Sequence, residues 1–256
     1  MWNKLQLKMR KKLIYVYFTS LLLCASGWSQ QSAITKAQDS TRLNNSYGLR
    51  LGLDLQNIVT SLTNKNFQGI EIMGDYRLSK KYYLAAELGN QEKTINETNI
   101  STTTKGSYLK AGIDYNAYKN LVGLRNLIFV GLRYGYANYS QELNRFSIAT
   151  QDNFFGVNSQ ISDLKSEGLS AHWLELIAGV KAEIFKNVFV GFSVSIQRNI
   201  SDEKPDGFDN LYIPGYGTTN DFGEISAGYR YFISYYIPLY KKKTKNKKEV
   251  ESTSEN

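Results

Sequence analysis

The sequence predicts an all-β protein: a closed, antiparallel, up-and-down transmembrane β-barrel of about eight strands, preceded by a signal peptide. Three observations predict it. Apolar residues occupy every second position over long stretches, the connections between those stretches alternate long and short, and the glycines collect on the non-apolar side. The clearest stretch is 223–239, where Ile225, Ala227, Tyr229, Tyr231, Ile233, Tyr235, Ile237 and Leu239 alternate with Glu224, Ser226, Gly228, Arg230 and Ser234. Side chains of a strand point alternately to opposite faces, so this period of two makes one apolar face and one small or charged face. At about 3.3 Å per residue such a strand crosses a bilayer with tilt, for which roughly 9–11 residues suffice. A mean hydropathy of −0.39 is compatible with this, because only alternate residues of a barrel need be apolar.

At the N-terminus, Lys4, Lys8, Arg10, Lys11 and Lys12 precede the apolar run 13–25. A charged segment followed by a short greasy one is the layout of a secretory signal, and the run is too short to span. Gly27 and Ser29 place small residues at the −3 and −1 positions of a cut before Gln30. The expected signal peptide is 1–29, with export to the bacterial outer membrane. Cys24, the one cysteine, falls inside it, so the mature chain would hold no disulfide. Lipidation of Cys24 is disfavoured by the large Leu23 before it. Residues 30–46 lack periodicity and read as a flexible lead-in.

The barrel is expected over 47–240. Its first strand sets Tyr47, Leu49, Leu51, Leu53 and Leu55 against Gly48, Arg50, Gly52 and Asp54; 57–66, rich in Ser, Thr and Asn, reads as a loop. The second sets Ile70, Ile72, Tyr76 and Leu78 against Gly69, Glu71, Met73, Asp75 and Arg77, and a tight turn at 79–81 leads to the third, with Tyr82, Leu84, Ala86 and Leu88 against Ala85, Glu87 and Gly89. After a polar segment, 91–105, the fourth sets Leu109, Ala111, Ile113 and Tyr115 against Lys110, Gly112 and Asp114. The fifth sets Ile128, Val130, Leu132, Tyr134 and Tyr136 against Gly131, Arg133 and Gly135, and 137–170 reads as the longest connection. The sixth sets Leu174, Leu176, Ala178, Val180, Ala182 and Ile184 against Glu175, Gly179, Lys181 and Glu183; the seventh sets Val188, Val190, Phe192, Val194 and Ile196 against Gly191, Ser193, Ser195 and Gln197. Residues 198–222, with Pro205, Pro214, Gly215 and Gly217, read as a loop into the last strand.

Alternation does not say which face is outside, but volume does. An eight-stranded barrel has an interior just wide enough to be filled by side chains, and the apolar set is too bulky for it. The Gly, Ser and charged face fits if glycine makes room for long cations. Tyr47, Tyr76, Tyr82, Tyr115 and Tyr235 fall near the short turns, where an interfacial aromatic girdle belongs.

The net charge of +8 suggests nucleic acid until it is located. Five of the 31 basic residues lie in the leader and six in the tail 241–256; with three of the 23 acidic residues also in that tail, the body keeps 20 of each sign. No basic face follows a phosphate backbone, which excludes nucleic acid as a partner. The tail reads as a charged, disordered, periplasmic end.

Inward-facing charge is expected at Arg50, Asp54, Glu71, Asp75, Arg77, Glu87, Lys110, Asp114, Arg133, Glu175, Lys181, Glu183, Glu224 and Arg230, forming a salt-bridge network that plugs the lumen. Acid and base work by a pair such as Asp75 and Glu87 is a weaker reading, since spacing does not place them within reach. His172, the sole histidine, lies near Ser170 and Glu175, which opens the alternative of a lipid-modifying hydrolase. One histidine and no mature cysteine leave no metal-ligand spacing, and no glycine-rich phosphate loop occurs. No cofactor is expected.

Over 47–239 the chain resembles the small OmpA/OmpX-type barrels in strand number and loop pattern. The first strand with its approach to Ile70 and Tyr76, and the closing Gly228, Tyr229 and Arg230, resemble an uncharacterised family of exported Gram-negative proteins with outer-membrane barrels. The resemblance implies fold and location and carries no activity. One departure is the C-terminus: such barrels usually end on an aromatic residue, whereas Tyr240 is followed by 16 residues here. The expected protein is a non-enzymatic, monomeric outer-membrane barrel in contact with membrane lipid, with mobile extracellular loops that bind an unidentified ligand or partner. A narrow channel for small solutes is the further alternative.

Overall fold

In the computed structural model, the residues described are 46–79, 81–118, 125–147, 159–219 and 224–241; the leader with Cys24, the lead-in and the tail beyond its first residue lie outside them. The chain builds β1 (Ser46–Asp54), α1 (Leu55–Thr63), β2 (Phe67–Arg77), β3 (Tyr82–Asn96), β4 (Ile100–Asn116), β5 (Leu127–Ser147), β6 (Ser159–Phe185), β7 (Val188–Asp202), β8 (Tyr212–Ile213), β9 (Gly217–Thr218) and β10 (Ile225–Lys241). Eight of these strands close a barrel in the order β1-β10-β7-β6-β5-β4-β3-β2, and every pair is antiparallel. Closure pairs β1 with both β2 and β10 and leaves no open edge, which a sheet in hydrocarbon requires. β8 and β9 form a separate small ribbon within the connection from β7 to β10.

The faces divide as volume dictates. Leu51, Val130, Leu132, Leu176 and Ile196 are 44%, 45%, 56%, 54% and 57% exposed on the outside, while Arg50, Arg133 and Arg230 are buried inside. A continuous apolar belt of this kind far exceeds the few hundred Å² that soluble monomers leave in water. It is a lipid-facing surface, and the fold is a transmembrane β-barrel. Along β5 the outward positions run apolar from Ile128 to Tyr136 and turn polar at Asn138, Ser140 and Glu142, which marks the end of the belt.

The interior holds more than small and charged groups. Gly89 faces Tyr108, Gly106 faces Tyr139, Gly135 faces Trp173, Gly179 faces Phe129 and Gly191 faces Phe232 across neighbouring strands. At each of these glycines a Cβ would run into the facing residue or, at Gly179, also into its other neighbours. The expectation that glycine makes room for cations holds at Gly131, where a Cβ would strike the Asp114 carboxylate that Arg133 holds. Elsewhere glycine mostly seats a ring.

The connections depart from expectation. Residues 57–66 were expected as a loop, but Leu55, Ile58, Val59 and Leu62 carry the helical spacing of α1, and the Asp54 carboxylate caps it by accepting from the backbone N–H of Gln56 at 2.7 Å and of Asn57 at 3.4 Å. The polar segment 91–105 is largely strand: β3 and β4 continue as a hairpin to Asn96 and from Ile100. The expected connection 137–170 is likewise mostly the paired ends of β5 and β6. These extensions are polar on their outer side, so no apolar alternation signals them.

Candidate functional site: a charge-filled lumen and its outer vestibule

Ten of the inward charges meet in the barrel interior. Arg133 reaches Asp114 at 2.6 Å and Glu87 at 3.4 Å; Arg230 reaches Glu71 at 2.5 Å, Glu87 at 2.6 Å and Glu175 at 3.6 Å. Lys110 lies 3.0 Å from Glu175 and 3.7 Å from Glu87, Lys181 lies 2.7 Å from Asp75 and 4.0 Å from Asp114, and Arg50 lies 3.6 Å from Asp75. Five cations thus face five carboxylates, and the cluster is neutral when all are ionised. Charges withdrawn from water cost several kcal/mol each unless paired, which is why each has an opposite partner within reach. Rings close the remaining space: the Arg50 guanidinium sits 4.7 Å over Phe189, and Lys181 sits 4.7 Å over Phe129. The void left between Arg133, Arg230, Lys181 and Phe232 is about 20 Å³, room for about one water.

Four residues expected in that network lie elsewhere. Asp54 is buried but is engaged in capping α1. Arg77, at the turn end, donates from Nε to the Ser79 carbonyl at 3.0 Å and lies 5.3 Å over Tyr47. Glu183 accepts from the Asn187 N–H at 2.9 Å and braces the turn between β6 and β7. Glu224 forms an exposed pair with Arg198 at 3.6 Å. All four have the inward phase, but they sit at strand ends, where Asp54 is taken up by the start of α1 and the barrel wall no longer fully encloses the other three.

The tyrosines near the short turns gather at one rim. Tyr47 stacks on Tyr240 at 5.3 Å, the Tyr76 and Tyr240 hydroxyls are 3.2 Å apart, and Tyr82 lies 5.5 Å from Tyr115, while Tyr235 stands exposed on the outer face. His172 is at the opposite border of the belt. Its Nδ1 is 2.8 Å from the Tyr134 hydroxyl, and its ring is 4.9 Å from Tyr136. Glu175 points the other way, fully buried in the lumen beside Lys110. A strand separates their faces, so His172 and Glu175 cannot act as a catalytic pair. Asp75 and Glu87, the other carboxylates considered for acid and base work, are each held by cations. Among the described residues no cluster of His, Cys, Asp and Glu could hold a metal ion.

The outer mouth contains the residues that alternation missed. The stretch after β7, expected as an open loop, folds inward: Asn210, Tyr212, Ile213, Pro214 and Tyr216 are buried. The β8–β9 ribbon docks on a hub, Gln91, whose Oε1 accepts from the Tyr212 hydroxyl at 2.7 Å and from the Gly215 N–H at 2.9 Å. Gln91 Nε2 in turn donates to Asn57 Oδ1 of α1 at 3.2 Å. Gly215 has φ +79°, and a Cβ there would enter the Tyr108 ring; the Tyr108 hydroxyl donates to Glu71 at 2.5 Å. The ribbon, α1 and the charge cluster are therefore one connected assembly. Burial, with Glu71 nearby, pushes the Tyr212 phenol above its ordinary pKa. The signal for this docking in the sequence was slight: 211–217 is the one polar-flanked stretch that combines Tyr212, Ile213, Pro214 and Tyr216 with two glycines.

Fold and site together define a small transmembrane β-barrel whose lumen is packed with paired charge and whose mouth is narrowed by its own chain. The chain belongs to the family described as domain of unknown function DUF6048, whose model matches residues 9–242. No curated protein matches it. Among solved structures it is similar to Ail, the attachment invasion locus protein of Yersinia pestis, at 13% identity over 75% of this chain and 94% of that one, with a TM-score of 0.34. It is also similar to CarO2 of Acinetobacter baumannii, at 11% identity over 75% of this chain and 98% of that one, with a TM-score of 0.36. Similarities of this size say nothing of role.

Proposed function

We propose that the protein is a non-enzymatic barrel of the bacterial outer membrane that does not conduct solutes and that presents its outer end for recognition. The observation that carries this reading is the balanced ten-residue charge cluster, in which the void between Arg133, Arg230, Lys181 and Phe232 is only about 20 Å³. The β3–β4 and β5–β6 hairpins extend past the lipid-facing belt and form a polar wall on a rigid scaffold, the place where binding residues concentrate. In this reading the leader 1–29 directs export, the lead-in and the tail face the periplasm with the short turns, and the tyrosine rim anchors the inner interface. Assembly uses β10 internally, since the aromatic end is followed by the charged tail. Membrane lipid is the partner along the belt, and the protein acts as a monomer.

Two experiments test this. Sucrose-gradient fractionation with a heat-modifiability gel is expected to show flotation with outer membranes and a mobility shift on boiling; a soluble fraction with no shift would refute the location. Planar-bilayer recording of the purified chain is expected to be silent, and reproducible conductance steps would favour the channel reading.

A further inference from the structure

We propose that the vestibule between α1, the β8–β9 ribbon and the inner faces of β7 and β10 is a binding site for a small, neutral, polyhydroxylated ligand of the mono- or disaccharide class. The proposal rests on the outward orientation of this mouth in the reading above.

The cavity measures about 410 Å³, within the roughly 300–1,000 Å³ of small-molecule sites. Its origin is visible in the strand register. Lower in the barrel, Gly191 of β7 pairs with Phe232 of β10, and the ring fills the lumen. Higher up, the same two strands pair Ser195 with Gly228 and Gln197 with Ser226, and no ring fills the space. Gly228 is thus an inward glycine whose nearest neighbour is the Ser195 hydroxyl rather than an aromatic. The gap lies above the charge cluster, with Glu71, Lys110, Glu175 and Arg230 as its floor.

The chemistry of the lining selects the ligand. Each floor charge is already matched: Lys110 by Glu175 at 3.0 Å, and Arg230 by Glu71 and Glu87. Asp54, at the side, accepts from two backbone N–H groups of α1. At the rim, the Lys93 ammonium lies 4.5 Å over the Tyr212 ring and 3.5 Å from the Thr218 hydroxyl. At the floor a charged ligand would lose its hydration and find no unmatched opposite charge, which is a net cost. What is open is a neutral acceptor. Gln197 is 95% buried by its 5% exposure, lines the cavity, and its Oε1 has no hydrogen-bond partner. A buried acceptor left unpaired costs about 1–3 kcal/mol, and a ligand hydroxyl supplies the missing donor. Sugar hydroxyls both donate and accept, as a lining of serine hydroxyls and side-chain amides requires. Tyr216 and Phe67 line the cavity with aromatic surface for the apolar side of a pyranose.

The test is calorimetric titration of the full chain, refolded in detergent, with D-glucose and sucrose, and in parallel with glucose 6-phosphate and glucosamine. The neutral sugars are expected to bind, and Gln197→Ala to weaken them about tenfold, the equivalent of one hydrogen bond in a desolvated site. Ser195→Phe is expected to abolish binding by filling the gap. It restores opposite Gly228 the glycine–ring pairing used elsewhere in the wall, so the variant is expected to fold. Absence of binding by neutral sugars, tighter binding of either charged probe, or binding that survives Ser195→Phe would each overturn the proposal. The same preparation is run on the heat-modifiability gel. A shifted band without sugar binding overturns this site alone, and an unshifted band overturns the barrel reading and the site with it.

Discussion

Glu87 shows how much a single residue can carry. It faces Lys110, Arg133 and Arg230 at once, so Glu87→Gln keeps the shape and leaves three cations short of a counter-charge. Breaking a buried pair this way costs roughly 3–5 kcal/mol, to be read as a lower urea midpoint for loss of the compact band. Glu224→Gln, which touches only an exposed pair, is expected to leave that midpoint unchanged within error. Tyr212 makes a different prediction. Its pKa is raised in the docked ribbon, so docking favours the neutral phenol; its contribution is complete below the free phenol's pKa of about 10 and declines as pH rises through the higher docked value. Proteolysis of 203–219 should therefore stay slow through neutral pH and accelerate only on the alkaline side. The inward charges were legible because phase alone assigns a face. The partnership of Gln91 with Tyr212 was not, because 121 residues separate them and neither carries a motif.

At the scale of elements, alternation reveals a strand only where its two faces differ. The lipid-facing lengths of all eight wall strands could be read for that reason. The outer ends of β3 to β6 could not: in Thr102, Thr103, Thr104 and Lys105, for example, both faces are polar and the period of two has no amplitude. α1 was hidden in the same way, since Asn57, Thr60 and Ser61 break up its apolar positions. Asp54→Ala removes its cap and should cost about 1 kcal/mol, with faster amide exchange confined to 55–63. The glycine–ring pairs are a property of two strands together, invisible until the register is known. Gly135→Val would drive a side chain into Trp173, and the expected outcome is a chain that fails to give the compact, heat-modifiable band, whereas Gly74→Val, on the outer face where a Cβ meets only ordinary contact, should assemble normally.

The whole molecule is an inversion of a soluble protein: charge inside, apolar side chains outside. That arrangement holds together only if the belt meets hydrocarbon, and its parts then agree. The belt ends where the outward residues turn polar, tyrosines gather at the turn-side rim, and the closed sheet leaves no unpaired edge across the belt. Leu132→Arg, in the middle of the belt, is expected to destabilise the inserted barrel by about 2–4 kcal/mol. The most direct measurement is nitroxide scanning of the chain in liposomes, with Cys24→Ser as background and labels at Leu132, Leu176 and Ile196 outside and at Ala137 and Ser234 inside. The outward labels should relax strongly with oxygen and weakly with a water-soluble nickel chelate, and the inward ones should be shielded from both. Nickel access at Leu132 and Ile196 equal to that of a label in water would contradict the account at its root.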